Sequence, residues 1–169
     1  MVYPKPKDYT EFIFNEIRNL VYDDVQKPIY ETDEEGIKQL NGLLERIQTN
    51  YYPDYYKKAA YLFAALSTSH YFKNGNKRIA LFSYIYFHQI NNFRFRNLKP
   101  KGYNEWFKKY FPNYKLKYEK FKSNAGWGLY SFNRAMNIKL ESHKEGHSYN
   151  FDKLKEITED FIQFISRKK

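Results

Sequence analysis

Two long segments with apolar residues at helical spacing place the strongest limit on how this chain can fold. Apolar residues recur along one face of each segment: Ala59, Leu62, Phe63 and Leu66 in the first, and Ile79, Phe82, Ile85, Tyr86 and Ile90 in the second. Such a period, sustained over several turns, is typical of a buried helix. Pro53 stands just before the first segment and Asn91 directly after the second, as start and stop signals do. The sequence therefore predicts a central helix over residues 54–69 and an almost equally buried one over residues 77–90.

The remaining segments are predicted to be helical or irregular, because no stretch alternates apolar and polar residues as a half-buried strand would. Thr10, Thr32 and Asn150 are expected to cap helices, the second of them in a capping box with Glu35. Further helical stretches are predicted at 10–22, 32–47, 102–111, 114–121, 129–140 and 150–165, with loops at 123–128 and 141–150. The predicted fold class is all-α, with at most a small β-hairpin at residues 23–31.

Length and composition limit the class of protein. A chain of 169 residues is enough for one compact domain spanning residues 1–169, but short for two. Its 29 Lys and Arg residues against 19 Asp and Glu residues give a formal net charge of +10, which favours an anionic partner such as a nucleotide, a nucleic acid or an acidic protein. With no cysteine, disulfides, a thiolate nucleophile and Cys-ligated metals are excluded. No apolar run reaches the roughly 18 residues of a membrane span, and no signal-peptide pattern opens the chain, so a cytoplasmic protein is expected.

Between the two central helices lies a polar and basic stretch, residues 70–78, with the composition of an active-site loop. Gly75 stands between two asparagines, a combination typical of a tight turn. Lys77 and Arg78 then fall at the start of the next helix, where the helix dipole disfavours cations and favours a bound anion. His70, at the other end, has a side chain suited to proton transfer near neutral pH. A base beside an anion site suggests phosphoryl or nucleotidyl transfer, whereas an ordinary helix-hairpin turn with a structural histidine explains the spacing equally well.

The same nine residues resemble the signature of a known family. The stretch His70-x-Phe72-x-Asn74-Gly75-Asn76-Lys77-Arg78 is similar to the pattern His-x-Phe-x-(Asp/Asn)-(Gly/Ala)-Asn-Lys-Arg of the Fic/Doc family, in its death-on-curing (Doc) branch, with every fixed position filled. A looser resemblance lies upstream, at Gly36-Ile37 and Leu43-Leu44. The resemblance implies a Fic-like helical bundle with a recognisable core at about residues 10–95. Residues 96–169 lie outside the resemblance and are expected to be a helical C-terminal extension packed on that core.

The resemblance also implies a role for each position of the loop. His70 would be the general base that deprotonates a hydroxyl of a target protein, and Phe72 would anchor the loop in the core. Asn74 stands where the wider family usually has an acidic Mg²⁺ ligand, and its neutral amide is a weaker ligand for that cation. The nucleotide phosphates would be bound by Gly75, Asn76, Lys77 and Arg78, and Arg78 would also stabilise charge in the transition state.

Lys77 decides which reaction the resemblance implies. The adenylylating Fic branch has glycine at this position, whereas the Doc branch has lysine and binds ATP in the reversed sense, so that the γ-phosphate is transferred. The chain would then be a protein Ser/Thr kinase of unusual fold that uses ATP and Mg²⁺, with His70, Lys77 and Arg78 as its catalytic residues. Its target would be of the translation elongation factor Tu class, and it would act as a toxin that inhibits growth. The alternative is a Fic-type protein adenylyltransferase.

A separate inhibitory protein is the second partner that the resemblance implies. Many Fic proteins carry an inhibitory helix with the pattern (Ser/Thr)-x-x-x-Glu-(Gly/Asn), and here Thr32 to Gly36 and Ser142 to Gly146 each come one residue short. Restraint would therefore come from an antitoxin with a flexible tail, and an acidic tail would suit the net charge of +10. Residues 23–31 occupy the place of the family's flap, which aligns a target peptide by β-augmentation.

Other patterns support alternative functions less well. His143 and His147 lie four residues apart, but Gly146 intervenes and Lys144 stands where a zinc-protease motif needs glutamate. The basic, Tyr-rich stretch 94–122 could bind nucleic acid by stacking and charge, although such a mixture is more often a solvated face over an aromatic core. The alternatives outside catalysis are thus a nucleic-acid-binding module and a non-catalytic interaction module, while neither nucleic acid nor a membrane is an expected partner.

Overall fold

The computed structural model describes residues 1–20, 29–116, 123–143 and 150–169, and most of these residues are helical. The helical elements are α1 (Pro6–Asp8), a π-helical segment (Tyr9–Ile13), α2 (Phe14–Leu20), α3 (Glu34–Gln48), α4 (Tyr55–Thr68), α5 (Asn76–Ile90), α6 (Pro100–Tyr110), α7 (Asn124–His143) and α8 (Phe151–Ile165). The strands are β1 (Phe93–Phe95) and β2 (Ser166–Lys168). The predicted helical class is confirmed, with one small antiparallel sheet added to it.

The two central helices lie where the sequence predicts them. The N-cap of α4 is Asp54, whose carboxylate accepts a hydrogen bond from the Lys57 amide at 3.0 Å. The C-cap of α5 is Asn91, the residue expected to end it. Helix α4 is buried on nearly all sides, because α3, α5, α7 and α8 all pack against it. The loop between α4 and α5 therefore projects from the most buried part of the fold.

A two-stranded antiparallel sheet joins the end of the chain to the region that follows α5. Phe93 pairs with Lys168, and Phe95 pairs with Ser166. The sequence gives no signal of this sheet, because strands of three residues are too short to show an alternating pattern. The sheet fastens α8 to α5, and with it the C-terminal extension to the motif-bearing helix.

The helix caps follow the predictions in part. Asn150 caps α8 as predicted, since its side chain accepts a hydrogen bond from the Lys153 amide at 3.0 Å. The N-cap of α3, however, is Asp33 rather than Thr32, with the Asp33 carboxylate accepting from the Gly36 amide at 3.0 Å. A carboxylate is a stronger acceptor than a hydroxyl at the positive end of a helix dipole, which explains the difference.

The first helical stretch begins earlier than predicted. It starts at Pro6, a residue favoured at the first position of a helix because its missing N–H would have no partner there. Thr10, the predicted cap, lies inside the stretch, and its hydroxyl donates to the Lys7 carbonyl at 3.1 Å. Pro6, and not Thr10, therefore marks the start of this helical stretch.

The predicted loop at residues 123–128 is wrong, because α7 begins at Asn124. Gly128 lies inside α7 at a point where a β-carbon would clash with the ring of Tyr103 from α6. The glycine thus allows two helices to pack closely and is not a sign of a flexible segment. Trp127 beside it is buried against the same ring, at a centroid distance of 5.4 Å.

Several predictions fall partly outside the described residues. The predicted hairpin at 23–31 is one of them, and its described residues, 29–31, do not form a strand. The predicted helix at 114–121 is wrong over residues 114–116, which are not helical, and the rest of it lies outside the described residues. The predicted connector at 141–150 is helical as far as His143. No helix in the described ranges combines the length and the apolar character needed to cross a membrane.

Candidate active site

The loop between α4 and α5 is fixed in the core by the ring of Phe72. Only 3% of Phe72 is exposed. Its ring lies edge-on to the rings of Tyr30 and Phe14, at centroid distances of 5.4 and 6.1 Å. Gly36 of α3 faces the same ring, and a β-carbon there would come within 2.6 Å of it. The Phe72 side chain therefore ties the loop to α2, to α3 and to the segment between them.

The side chain of Asn76 closes the loop. Its amide nitrogen donates to the Phe72 carbonyl at 2.7 Å, and its amide oxygen accepts from the Phe72 N–H at 2.9 Å. An amide side chain offers both a donor and an acceptor to the backbone of this one residue, whereas aspartate lacks the donor. Because its side chain is engaged in this way, a role for Asn76 in phosphate binding would use its backbone amide.

Gly75 takes a conformation that other residues rarely adopt. Its φ is 76°, and it is the N-cap of α5. Its carbonyl accepts hydrogen bonds from the Arg78 and Ile79 amides, both at 3.0 Å. A β-carbon at this position would clash with the Tyr30 hydroxyl and lie 3.0 Å from two carbons of that ring. The left-handed backbone and the close approach of Tyr30 both require glycine.

Asp33, which the sequence analysis missed, joins the loop to α3. One of its carboxylate oxygens caps α3, and the other accepts a hydrogen bond from the Lys73 amide at 3.1 Å. An acidic residue at a helix start is a recognisable signal for a cap. Nothing in the sequence, however, indicates its second contact, with a residue 40 positions away.

The residues predicted to carry the chemistry lie on the outside of this scaffold. His70, Asn74 and Lys77 are exposed, and Arg78 is partly buried in the first turn of α5. The amides of Asn76 and Lys77 open this helix, and the first amides of a helix have no intrahelical acceptor. The positive end of the helix dipole at this point favours an anion, as the start of any long helix does. The structure thus places a histidine, a lysine and an arginine on one loop and the turn that follows it.

Helix α7 supports the far end of the loop. The Asn133 side chain donates to the Lys77 carbonyl at 2.8 Å. The Asn137 side chain in turn donates to the Asn133 carbonyl and to its side-chain oxygen, at 2.7 and 2.9 Å. Both asparagines are 6% exposed. These contacts give the C-terminal extension a structural role at the site, which the sequence does not predict.

A divalent metal would find few protein ligands here. Among the residues that the structure describes, no group of three His, Asp or Glu side chains could hold a metal ion. Both carboxylate oxygens of Asp33 already accept hydrogen bonds, one from the Gly36 amide of α3 and the other from the Lys73 amide of the loop. Mg²⁺ commonly keeps several waters and binds one or two protein groups together with substrate phosphates. The exposed amide oxygen of Asn74 fits a site completed by phosphate oxygens and water.

The fold is a helical protein in which one fixed loop carries an exposed histidine and leads into the N-terminus of a buried helix, α5. Residues 11–88 match the model of the Fic/DOC family. The matched segment lies within the core expected at about residues 10–95. It implies a transferase that uses a nucleotide substrate and moves a nucleotide-derived group onto proteins. No curated protein and no solved structure matches the chain.

Proposed function

We propose that the chain is a Doc-type protein kinase, which transfers the γ-phosphate of ATP to a hydroxyl of a target protein. The observation that carries the proposal is Lys77, at the motif position where adenylylating Fic proteins have glycine. Lys77 is exposed in the first turn of α5, directly after the Asn76 side chain that closes the loop. Glycine would let a diphosphate lie against the backbone, whereas the bulk and charge of lysine favour ATP bound in the reversed sense.

In the proposed reaction, His70 takes the proton of the target hydroxyl, and the hydroxyl oxygen attacks the γ-phosphorus. The bond from the γ-phosphorus to the bridging oxygen breaks, and ADP leaves with the electron pair. Arg78 and the first amides of α5 stabilise the charge that spreads over the phosphoryl oxygens. Bound Mg²⁺, with Asn74 as its protein ligand, would supply charge neutralisation on the phosphates. The exposed position of His70 suits a protein substrate, because the acceptor hydroxyl must reach the base from solvent.

We further propose two protein partners: a target of the elongation factor Tu class, and a separate antitoxin with a flexible acidic tail. An acidic partner is supported by the formal net charge of +10. A separate restraint is supported by the sequence, in which the inhibitory pattern of many Fic proteins is not complete. Expression of the chain without its antitoxin should therefore arrest growth.

Labelled ATP tests which group is transferred. Purified elongation factor Tu is incubated with the chain and with ATP that carries the label at either the α- or the γ-phosphate. We expect label on the acceptor from γ-labelled ATP alone, and none with the His70→Ala variant. Label arriving from α-labelled ATP alone would refute the kinase proposal in favour of adenylyl transfer. Absence of transfer to any protein of a cell extract would favour a non-catalytic module.

Two lysines of the loop form a matched pair for the role of Lys77. Both Lys73 and Lys77 are exposed, but only Lys77 lies in α5. We expect Lys77→Ala to reduce γ-phosphate transfer at least tenfold, equivalent to about 1.4 kcal/mol of transition-state stabilisation. The transfer rate of Lys73→Ala should stay within about twofold of the parent's, because Lys73 supports the loop through its backbone amide, which donates to Asp33 and is kept in the variant. Equal losses would mean that the site needs positive charge in general, and Lys77 would no longer discriminate between the two reactions.

A further inference from the structure

A cleft of about 760 Å³ lies along α4, between the end of α3 and the start of α8. Its lining is rich in tyrosine and contains Arg46, Tyr51, Tyr52, Tyr61, Tyr71 and Lys155. Ser69 and Tyr71, the residues on either side of His70, both contribute to it. Among the described residues that line the cleft, none comes from residues 72–90. The cleft therefore reaches the histidine from the side of α4, and the anion site at the start of α5 lies outside it.

The described lining of this cleft contains two cations and no carboxylate. Lys155 is paired with Asp152 at 2.7 Å, and its ammonium lies 5.5 Å from the centre of the Tyr52 ring. Arg46 is exposed, and its guanidinium contacts the Tyr61 hydroxyl at 3.4 Å. No acidic side chain of the described residues forms an ion pair with it. Arg46 is thus the cation of the cleft whose charge is available to a ligand.

Beyond Lys155 the charge along the surface changes sign. A neighbouring hollow of about 300 Å³ shares Tyr52 and Lys155 with the cleft. Besides one further cation, Lys57, it is lined by three carboxylates, those of Asp152, Glu156 and Glu159, so its charge is net negative. An anionic ligand would be repelled from that hollow and attracted to Arg46. It would then extend from Arg46 toward Ser69 and Tyr71, so the charge pattern gives the cleft a direction that ends beside His70.

We infer that this cleft binds an extended acidic segment of the target protein, next to the hydroxyl that His70 deprotonates. The inference deepens the proposed function and rests on it. A nucleotide is a poorer match, since the anion site at the start of α5 does not line the cleft. Tyrosine side chains provide apolar contact and hydrogen bonds at a low cost in conformational entropy, which suits an extended peptide. Tyr51, 76% exposed at the rim, is an aromatic ring that such a segment would cover.

Peptide binding without ATP tests the cleft separately from catalysis. The probes are short fluorescein-labelled peptides with a central serine, flanked in one case by glutamates, in a second by glutamines and in a third by lysines. By fluorescence anisotropy at low salt, we expect the glutamate peptide to bind about fivefold or more tightly than the glutamine peptide, and the lysine peptide to bind most weakly. Since no nucleotide is present, this result does not depend on which phosphate the enzyme transfers.

The variant Arg46→Gln identifies the cleft as the place of binding. It should weaken binding of the glutamate peptide about five- to tenfold, as expected for the loss of one charge-assisted hydrogen bond between Arg46 and a glutamate of the peptide. Lys101→Gln is the control, because Lys101 is an exposed lysine of α6 that does not line the cleft. Equal losses in the two variants, equal binding of the three peptides, or no binding of the glutamate peptide would each overturn the inference. Displacement of the peptide by ATP, with a matching loss of ATP affinity in Arg46→Gln, would assign the cleft to the nucleotide instead.

Discussion

Replacing Gly75 by alanine should destabilise the protein by an amount that follows from the geometry. The φ of 76° is left-handed, and an L residue there costs roughly 1–2 kcal/mol. The added methyl group would also clash with the hydroxyl of Tyr30. Tyr30 is 1% exposed and stacks on Phe14 at 4.6 Å, so it cannot move freely, and overpacking of this kind costs roughly 1–3 kcal/mol. We therefore expect Gly75→Ala to lower the free energy of unfolding by roughly 2–5 kcal/mol.

Urea denaturation measures this change, and the Tyr30→Phe variant separates its two causes. Without the Tyr30 hydroxyl the worst clash disappears, whereas the left-handed backbone and the 3.0 Å contacts with two ring carbons remain. Gly75→Ala should then cost about 1 kcal/mol less in the Tyr30→Phe background than in the parent.

Gly42 provides the matched control for the same substitution. It lies within α3, and no atom is within 4 Å of the position that its β-carbon would take. Gly42→Ala should therefore stabilise the protein, by roughly 0.5–1 kcal/mol. The reasoning about Gly75 would be refuted if Gly75→Ala cost less than about 1 kcal/mol, the lower limit set by the backbone alone.

Three further predictions concern side chains that support the loop or the core. The burial of His88 lowers its pKa to about 4 from an ordinary value of 6.5, so stability should be lost as pH falls below about 6.5. Between pH 7 and pH 5 the loss should be about 2 kcal/mol in the parent by urea denaturation, and much smaller in His88→Gln; equal losses would contradict the assignment. Asn76→Ala removes both hydrogen bonds to the Phe72 backbone, and should lower the free energy of unfolding by roughly 1–3 kcal/mol. It should also remove most of the transfer activity, and activity equal to that of the parent would contradict the role of Asn76 in holding the loop. Lys58→Met removes the ammonium that donates to the carbonyls of Ile47 and of Thr49, the C-cap of α3, at 2.5 and 2.6 Å. It should lower the free energy of unfolding by roughly 1–3 kcal/mol, and a stabilised variant would contradict this.

The parts of the fold that were predictable are those encoded by neighbours in sequence. The helices around the loop follow from apolar residues at helical spacing, from the start signal at Pro53 and from the stop signal at Asn91. The loop residues themselves are contiguous, so the sequence already places them together. Such signals are local because a helix forms its hydrogen bonds within a few residues.

The parts that were not predictable depend on contacts between distant residues. Asp33 accepts from the Lys73 amide 40 positions away, and Asn133 donates to the Lys77 carbonyl 56 positions away. The pattern of residues in a single sequence does not show which distant residues form such hydrogen bonds. Gly128 is a different case, because a glycine gives the same local signal in a loop as at a close helix contact.

In the proposed mechanism, the residues that carry the chemistry of the loop differ from those that keep it rigid. His70 and Lys77 are exposed, whereas the side chains of Phe72 and Asn76 hold the loop in place from beneath. A base that faces solvent can be reached by a protein substrate, but it keeps a fixed position only if the backbone on both sides is held. That backbone is held at Lys73 by Asp33 and at Lys77 by α7. Loss of activity through these supports should therefore be accompanied by a lower free energy of unfolding, whereas loss through His70 should leave stability unchanged.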